Sequence, residues 1–124
     1  MNFEPSAKAK DYLQRVKAFM AEHIEPIEKD FWHGIENQCH GNDWRTWTIP
    51  PVLEELKDKA RAAGLWNLFL PDAELAPGLS TMEYAWIAEA TGRSLLAPQV
   101  FNCNAPDTGN MEVLWKYGSP EQQA

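Results

Sequence analysis

Ser80-Thr81-Met82-Glu83-Tyr84-Ala85-Trp86-Ile87-Ala88-Glu89-Ala90-Thr91-Gly92 opens on a capping box. The serine oxygen can accept from the amide three residues on, and the glutamate can return to the cap amide. Met82, Ala85, Ile87 and Ala88 begin an apolar helix here, expected to run to about Thr91 and to end at Gly92.

Moving upstream, Pro50-Pro51 opens a second helix, with a face of Leu53, Leu56, Ala60 and Ala63 and with Gly64 where a left-handed cap is needed. The apolar run Leu65 to Leu70 is stopped by Pro71 and reads as buried loop rather than strand. Between residues 36 and 49 no clean period is present, so a loop pinned by Trp44 and Trp47 is expected. Farther back, Ser6 precedes Tyr12, Leu13, Val16, Phe19, Met20, Ile24 and Ile27 at helical spacing. Pro26 predicts a kink or restart, Phe31, Trp32 and Ile35 continue the face, and Gly34 weakens the far end.

Downstream, a helix is expected from near Asn104, as cap, through Met111, Val113, Leu114 and Trp115 to Tyr117, with Gly118 as its stop. Ser119-Pro120-Glu121-Gln122 then starts another helix, which the chain leaves within one turn, as if cut. The fold class is therefore all-α, a small up-and-down helical bundle, in one domain over residues 1–124.

At 44% hydrophobic and 23% charged residues the chain should fold, without disorder or a membrane class. Eleven basic against 18 acidic side chains give −7 with no basic face, which argues against nucleic acid and against an anionic membrane surface. The longest apolar stretch is too short for a membrane span, and no export signal is visible at Met1 to Pro5. Cys39 and Cys103 read as free thiols in a reducing cytoplasm.

Self-contained chemistry is harder to find. The glycines form neither a phosphate loop nor a dinucleotide fingerprint, and Ser80 reads as a cap rather than a nucleophile. His33, Cys39, His40 and Asp43 match no zinc spacing, so no metal site is expected. His23 falls on the apolar face, where a hydrogen-bonded core or boundary histidine is the ordinary explanation, and Glu54-Glu55 reads as a solvated face. The six tryptophans are expected to supply core area, with a ligand groove as the alternative.

Three stretches together resemble the N-terminal helical domain of the acyl-CoA dehydrogenases. They are Ala63 to Pro71, Gly78 to Ala85 continuing to Gly92-Arg93-Ser94, and Asn102-Cys103-Asn104-Ala105-Pro106-Asp107-Thr108-Gly109-Asn110-Met111-Glu112 with Tyr117-Gly118 and Gln122. The third is similar to a branch that includes multidomain acyl-CoA dehydrogenases. The loop Ala73 to Gly78 departs from the paired glycines common in the family.

The resemblance implies α,β-dehydrogenation of a fatty acyl-CoA by an FAD enzyme, in the cytoplasm, as part of fatty acid β-oxidation. It further implies a β domain that binds flavin and a C-terminal bundle that carries the catalytic base, so no catalytic residue is expected in this chain and FAD would be held mainly elsewhere. An electron-transferring flavoprotein as acceptor and a homo-oligomer are implied likewise. What falls to this domain is one wall of the acyl pocket, around residues 101 to 109. At helical spacing, Phe101, Asn104, Ala105 and Thr108 would share one face, with Gly109 allowing close approach. The alternative is a free-standing helical interaction module derived from such a domain, without catalysis.

Overall fold

The computed structural model describes residues 4–41 and 43–123, and among these every regular element is a helix. Helix α1 spans Ala7–Phe19 and starts where the sequence places it, since the Ser6 hydroxyl accepts from the Ala9 amide. A π-helical segment, Met20–Ile24, follows, and α2 runs over Glu25–Cys39. The wide turn sits just ahead of Pro26, which lacks an N–H and whose ring would crowd the carbonyl four residues back. The Glu25 amide reaches Met20 O instead, so the restart expected at Pro26 takes the form of a bulge.

Helix α2 continues past Gly34 to Cys39, so the first four residues of the loop predicted from residue 36 are helical. The tryptophans do not pin that loop: Trp44, in the 3₁₀ turn Trp44–Thr46, is 67% exposed and Trp47 48%. Gln38 holds it instead, its amide oxygen accepting from the Thr48 N–H at 2.7 Å and its nitrogen donating to Thr48 O at 3.1 Å. The other four tryptophans are half-buried and only Trp32 among them packs against the core cluster, so the expectation that the tryptophans supply core area holds for Trp32 and is corrected for the rest. Their indoles need partners at the boundary. Trp32 donates to Glu28, Trp115 donates to Asp72, and Trp66 lies 4.0 Å under the Arg61 guanidinium.

Helix α3, Val52–Ala62, buries Leu53, Leu56 and Ala60, while Ala63 is exposed beyond it. Gly64 (φ +68°) closes it with two reversed bonds, Gly64 N–H to Arg61 O and Leu65 N–H to Ala60 O. The second places Leu65 in the core, as a helix-to-glycine stop of this type does. Leu68, Phe69 and Leu70 follow it into the interior as irregular chain, consistent with a buried loop.

The next loop is organised by Asp72, whose carboxylate accepts from the Glu74 and Leu75 amides and from the Trp115 indole. Those bonds, the indole first, hold its carboxyl below the usual range. Gly78 (φ +63°) returns the chain so closely that a Cβ there would meet Ala73 Cα and Cβ at 2.9 Å. Gly78→Ala should therefore cost about 2 kcal/mol, from backbone strain and the clash together. Urea denaturation checks this, and an unshifted midpoint would contradict it.

Helix α4, Thr81–Thr91, carries the full capping box, with Ser80 Oγ accepting from Glu83 N–H and Glu83 accepting from Ser80 N–H. Glu83 also accepts from the Ser6 hydroxyl, which joins the starts of α1 and α4. These contacts, the Ser6 hydroxyl foremost, lower its carboxyl pKa. Of the apolar residues expected to open α4, Ile87 is buried and Met82 is 52% exposed.

A short helix α5, Ala97–Val100, was not foreseen. Ser94 Oγ accepts from the Leu96 and Ala97 amides, and the Glu28 carboxylate from α2 accepts from Ser94 Oγ and Leu96 N–H. Helices α6 (Asp107–Tyr117) and α7 (Pro120–Gln123) complete the chain. Helix α7 starts as Ser119 and Gln122 foretell, with the glutamine oxygen accepting from the Ser119 amide. Helix α1 packs along α4 and α3 against α5, enclosing Val16, Phe19, Met20, Ile24, Leu79, Ile87, Leu96 and Phe101.

Candidate functional site

Between the end of α5 and the first turn of α6 the backbone is irregular. Asn102 (φ +55°) turns the chain out of α5, and α6 begins only at Asp107. The common helical face expected for Phe101, Asn104, Ala105 and Thr108 therefore does not form, because left-handed backbone at Asn102 breaks the helical repeat.

Phe101 is 0% exposed and points into the core, its ring edge-to-face with Phe19 at 5.4 Å. Asn104 is half-buried and does not cap α6 with its oxygen, since its amide nitrogen donates to Asp107 at 3.3 Å. Pro106 stands at the cap position. Ala105 is exposed, Thr108 is half-buried on the first turn of α6, and nothing lies within 4 Å of where a Gly109 Cβ would sit. A bond from Thr108 N–H to Asn104 O, 3.2 Å, still brings these two residues together. The structure thus gathers Asn104, Ala105, Thr108 and Gly109 on one connection and sets Phe101 behind it.

Alongside runs a pocket of about 220 Å³, lined by residues of the 65–75 stretch, including Asn67, Phe69 and Leu70, and by Met111, Leu114 and Trp115 of α6. Helix α6 buries none of its residues, and Val113, Leu114 and Tyr117 are 58%, 42% and 81% exposed. An apolar helix with an open face is suited to cover by further apolar surface.

The polar chemistry nearby is restrained. Burial pushes both the Cys103 thiol and the Tyr84 hydroxyl to higher pKa, so each is neutral at pH 7 and neither is an activated nucleophile. His23 is half-buried with its ring edge-to-face on Phe19 at 4.7 Å. Cys39 and His40 are exposed, and among the described residues no group of three or more His, Cys, Asp or Glu side chains is arranged to hold a metal ion. Glu54 and Glu55 lie exposed on α3, Glu54 paired with Lys57 at 2.7 Å. Nor do the described residues form a cradle for flavin phosphates: the starts of α1 and α4 are closed by their own serines, and Asp107 places negative charge at the start of α6. No helix among them is long and apolar enough to cross a membrane.

Sequence reasoning missed Asn67, Asn102 and Met111. Their signal was present in the two asparagines set among apolar residues, since asparagine tolerates left-handed backbone better than most.

Residues 6–124 match the family model described as acyl-CoA dehydrogenase, N-terminal domain. The chain is 51% identical over 121 residues to acyl-CoA dehydrogenase family member 11 of Gallus gallus, covering 98% of this chain and 15% of that protein. To the Homo sapiens protein of the same name it is 48% identical over 122 residues, with the same two coverages, 98% and 15%. A solved structure from Mycobacterium abscessus, described as a "putative acyl-CoA dehydrogenase", superposes with a TM-score of 0.85 at 53% identity, over 97% of this chain and 30% of that one.

Proposed function

Since the chain belongs to the acyl-CoA dehydrogenase family through its N-terminal domain, we propose that it forms one wall of the fatty-acyl pocket in an FAD-dependent enzyme that desaturates acyl-CoA between the α and β carbons. Asn104, Ala105, Thr108 and Gly109 face the acyl chain, and Phe101 supports them from the core. The observation that carries this reading is the connection at 102–109, exposed at Ala105 and Gly109, beside a helix that leaves Val113, Leu114 and Tyr117 uncovered.

The two halves of the reading depend on each other. An acyl chain needs a wall with little to obstruct it and few free hydrogen-bonding groups; exposed Ala105 and Gly109 supply little side chain, and the Asn104 amide is taken up by Asp107. The flavin, when bound, supplies the hydride acceptor. The described residues do not fit it by themselves, so this domain's contribution is shape, exclusion of water and docking of the rest of the enzyme. The exposed face of α6 is where such docking takes place. The reading extends to a cytoplasmic enzyme, a homo-oligomer, and an electron-transferring flavoprotein as acceptor.

The test is the flavin content and acyl-CoA-dependent dye reduction of the whole protein that contains this domain. Bound flavin with turnover on fatty acyl-CoA is expected. A protein without flavin, or with flavin that no acyl-CoA reduces, would overturn the reading in favour of a helical interaction module.

A further inference from the structure

Asn67 and Asn102 both hold φ near +55°, on two segments far apart in sequence, and they meet side chain to side chain. Asn102 Nδ2 donates to Asn67 Oδ1 at 2.7 Å, and the Asn67 backbone N–H donates to the Phe101 carbonyl at 3.1 Å. The same Nδ2 lies 3.3 Å from the Met111 sulfur on α6. One amide group therefore touches the stretch 65–71 and α6 while it belongs to the end of α5. Residues 103–110, which include the proposed acyl-facing Asn104, Ala105, Thr108 and Gly109, are strung between Asn102, which carries that amide, and Met111, which meets it.

We propose that Asn67 and Asn102 form a positioning latch that sets the height of the 103–110 connection against the acyl chain. The inference rests on the reading of this connection as pocket wall. A left-handed residue costs conformational energy in any amino acid but glycine, and asparagine accepts it at lower cost than most. Glycine would serve the backbone better at both sites. What asparagine adds is the side-chain bond, and that bond is part-buried, where loss of one partner leaves the other unsatisfied. Both residues bond within the chain, Asn102 to Asn67 and Met111 and Asn67 to Phe101, so the effect assigned to them passes through the segment they hold.

Donor and acceptor are distinct, which gives an asymmetric test in the flavin-loaded whole protein. Asn67→Asp keeps the acceptor oxygen, tolerates the left-handed backbone and adds one negative charge. Asn102→Gly keeps the left-handed backbone relaxed and removes the donor, whereas an aspartate there would still be met by Asn67 Nδ2 once that amide turned over. Asn102→Gly should raise KM for a long-chain acyl-CoA about tenfold, with kcat within about twofold of wild type, because the binding lost is common to the ground and transition states. Asn67→Asp should stay within about twofold of wild type in both constants.

Equal KM changes in Asn102→Gly and Asn67→Asp would overturn the latch, as would a lowered melting temperature with KM unchanged. Asn67→Gly deletes the acceptor instead and also keeps the backbone relaxed, with the same KM rise expected and an unaltered KM overturning the idea. A wild-type protein whose flavin no acyl-CoA reduces would instead overturn the pocket-wall reading and this role with it.

Discussion

Phe101→Ala should lower the unfolding free energy of the chain by about 4 kcal/mol, the middle of the usual range for deleting a buried aromatic ring. The ring is fully enclosed and is the largest wholly buried side chain among the described residues. It meets Phe19 edge-to-face, and Phe19 in turn meets His23, so the cavity would open where α1 and α5 converge. Neighbours cannot easily collapse into it, because Asn67 N–H is bonded to the Phe101 carbonyl and fixes the backbone there. Phe101→Leu, which retains most of the volume, should cost less than half as much. Urea denaturation of the three forms decides this, and a loss under about 1 kcal/mol for the alanine variant would contradict the packing described here.

Thr108→Trp should cut turnover on long-chain acyl-CoA by about a hundredfold while leaving the melting temperature nearly unchanged, because small displacements of a reacting chain are costly in rate. Thr108 is half-buried on the first turn of α6, a helix that buries no residue, so an indole can point outward without disturbing the core. In the assembled enzyme, outward is into the proposed pocket. Gly109→Leu makes the companion test: nothing lies within 4 Å of the new Cβ, so the fold tolerates it and only the acyl chain is excluded. Short acyl chains should suffer least in both variants. Undiminished turnover at every chain length would remove Thr108 and Gly109 from the wall.

The elements legible in the sequence are those whose determinants are local. Ser6, Ser80, Gly64 and the Ser119/Gln122 pair each stop or start a helix through bonds within five residues, and each does so here. Helix α5 was missed because part of its cap, Glu28, comes from α2, too distant to read as a motif. Most of the tryptophans were misjudged for a related reason. Bulk argues for the core, but each indole N–H needs a partner, and Glu28 and Asp72 supply two of them at the boundary. For the candidate site, the Asn102 to Met111 motif marked the segment proposed as the wall, but its internal geometry was not legible. Helical spacing puts Phe101 beside Thr108 only if the helix is continuous, and left-handed Asn102 ends that continuity.

The most direct measurement is photo-crosslinking of the flavin-loaded whole protein with a fatty acyl-CoA that carries a diazirine on its acyl chain, mapped by mass spectrometry. Labels concentrated on residues 104–109, and competed away by unlabelled acyl-CoA, are the expected result. Competed labels that all lie outside this domain, or that fall here only on the cleft at Ile35, Trp47 and Ile49, would contradict the placement of the acyl chain against this wall.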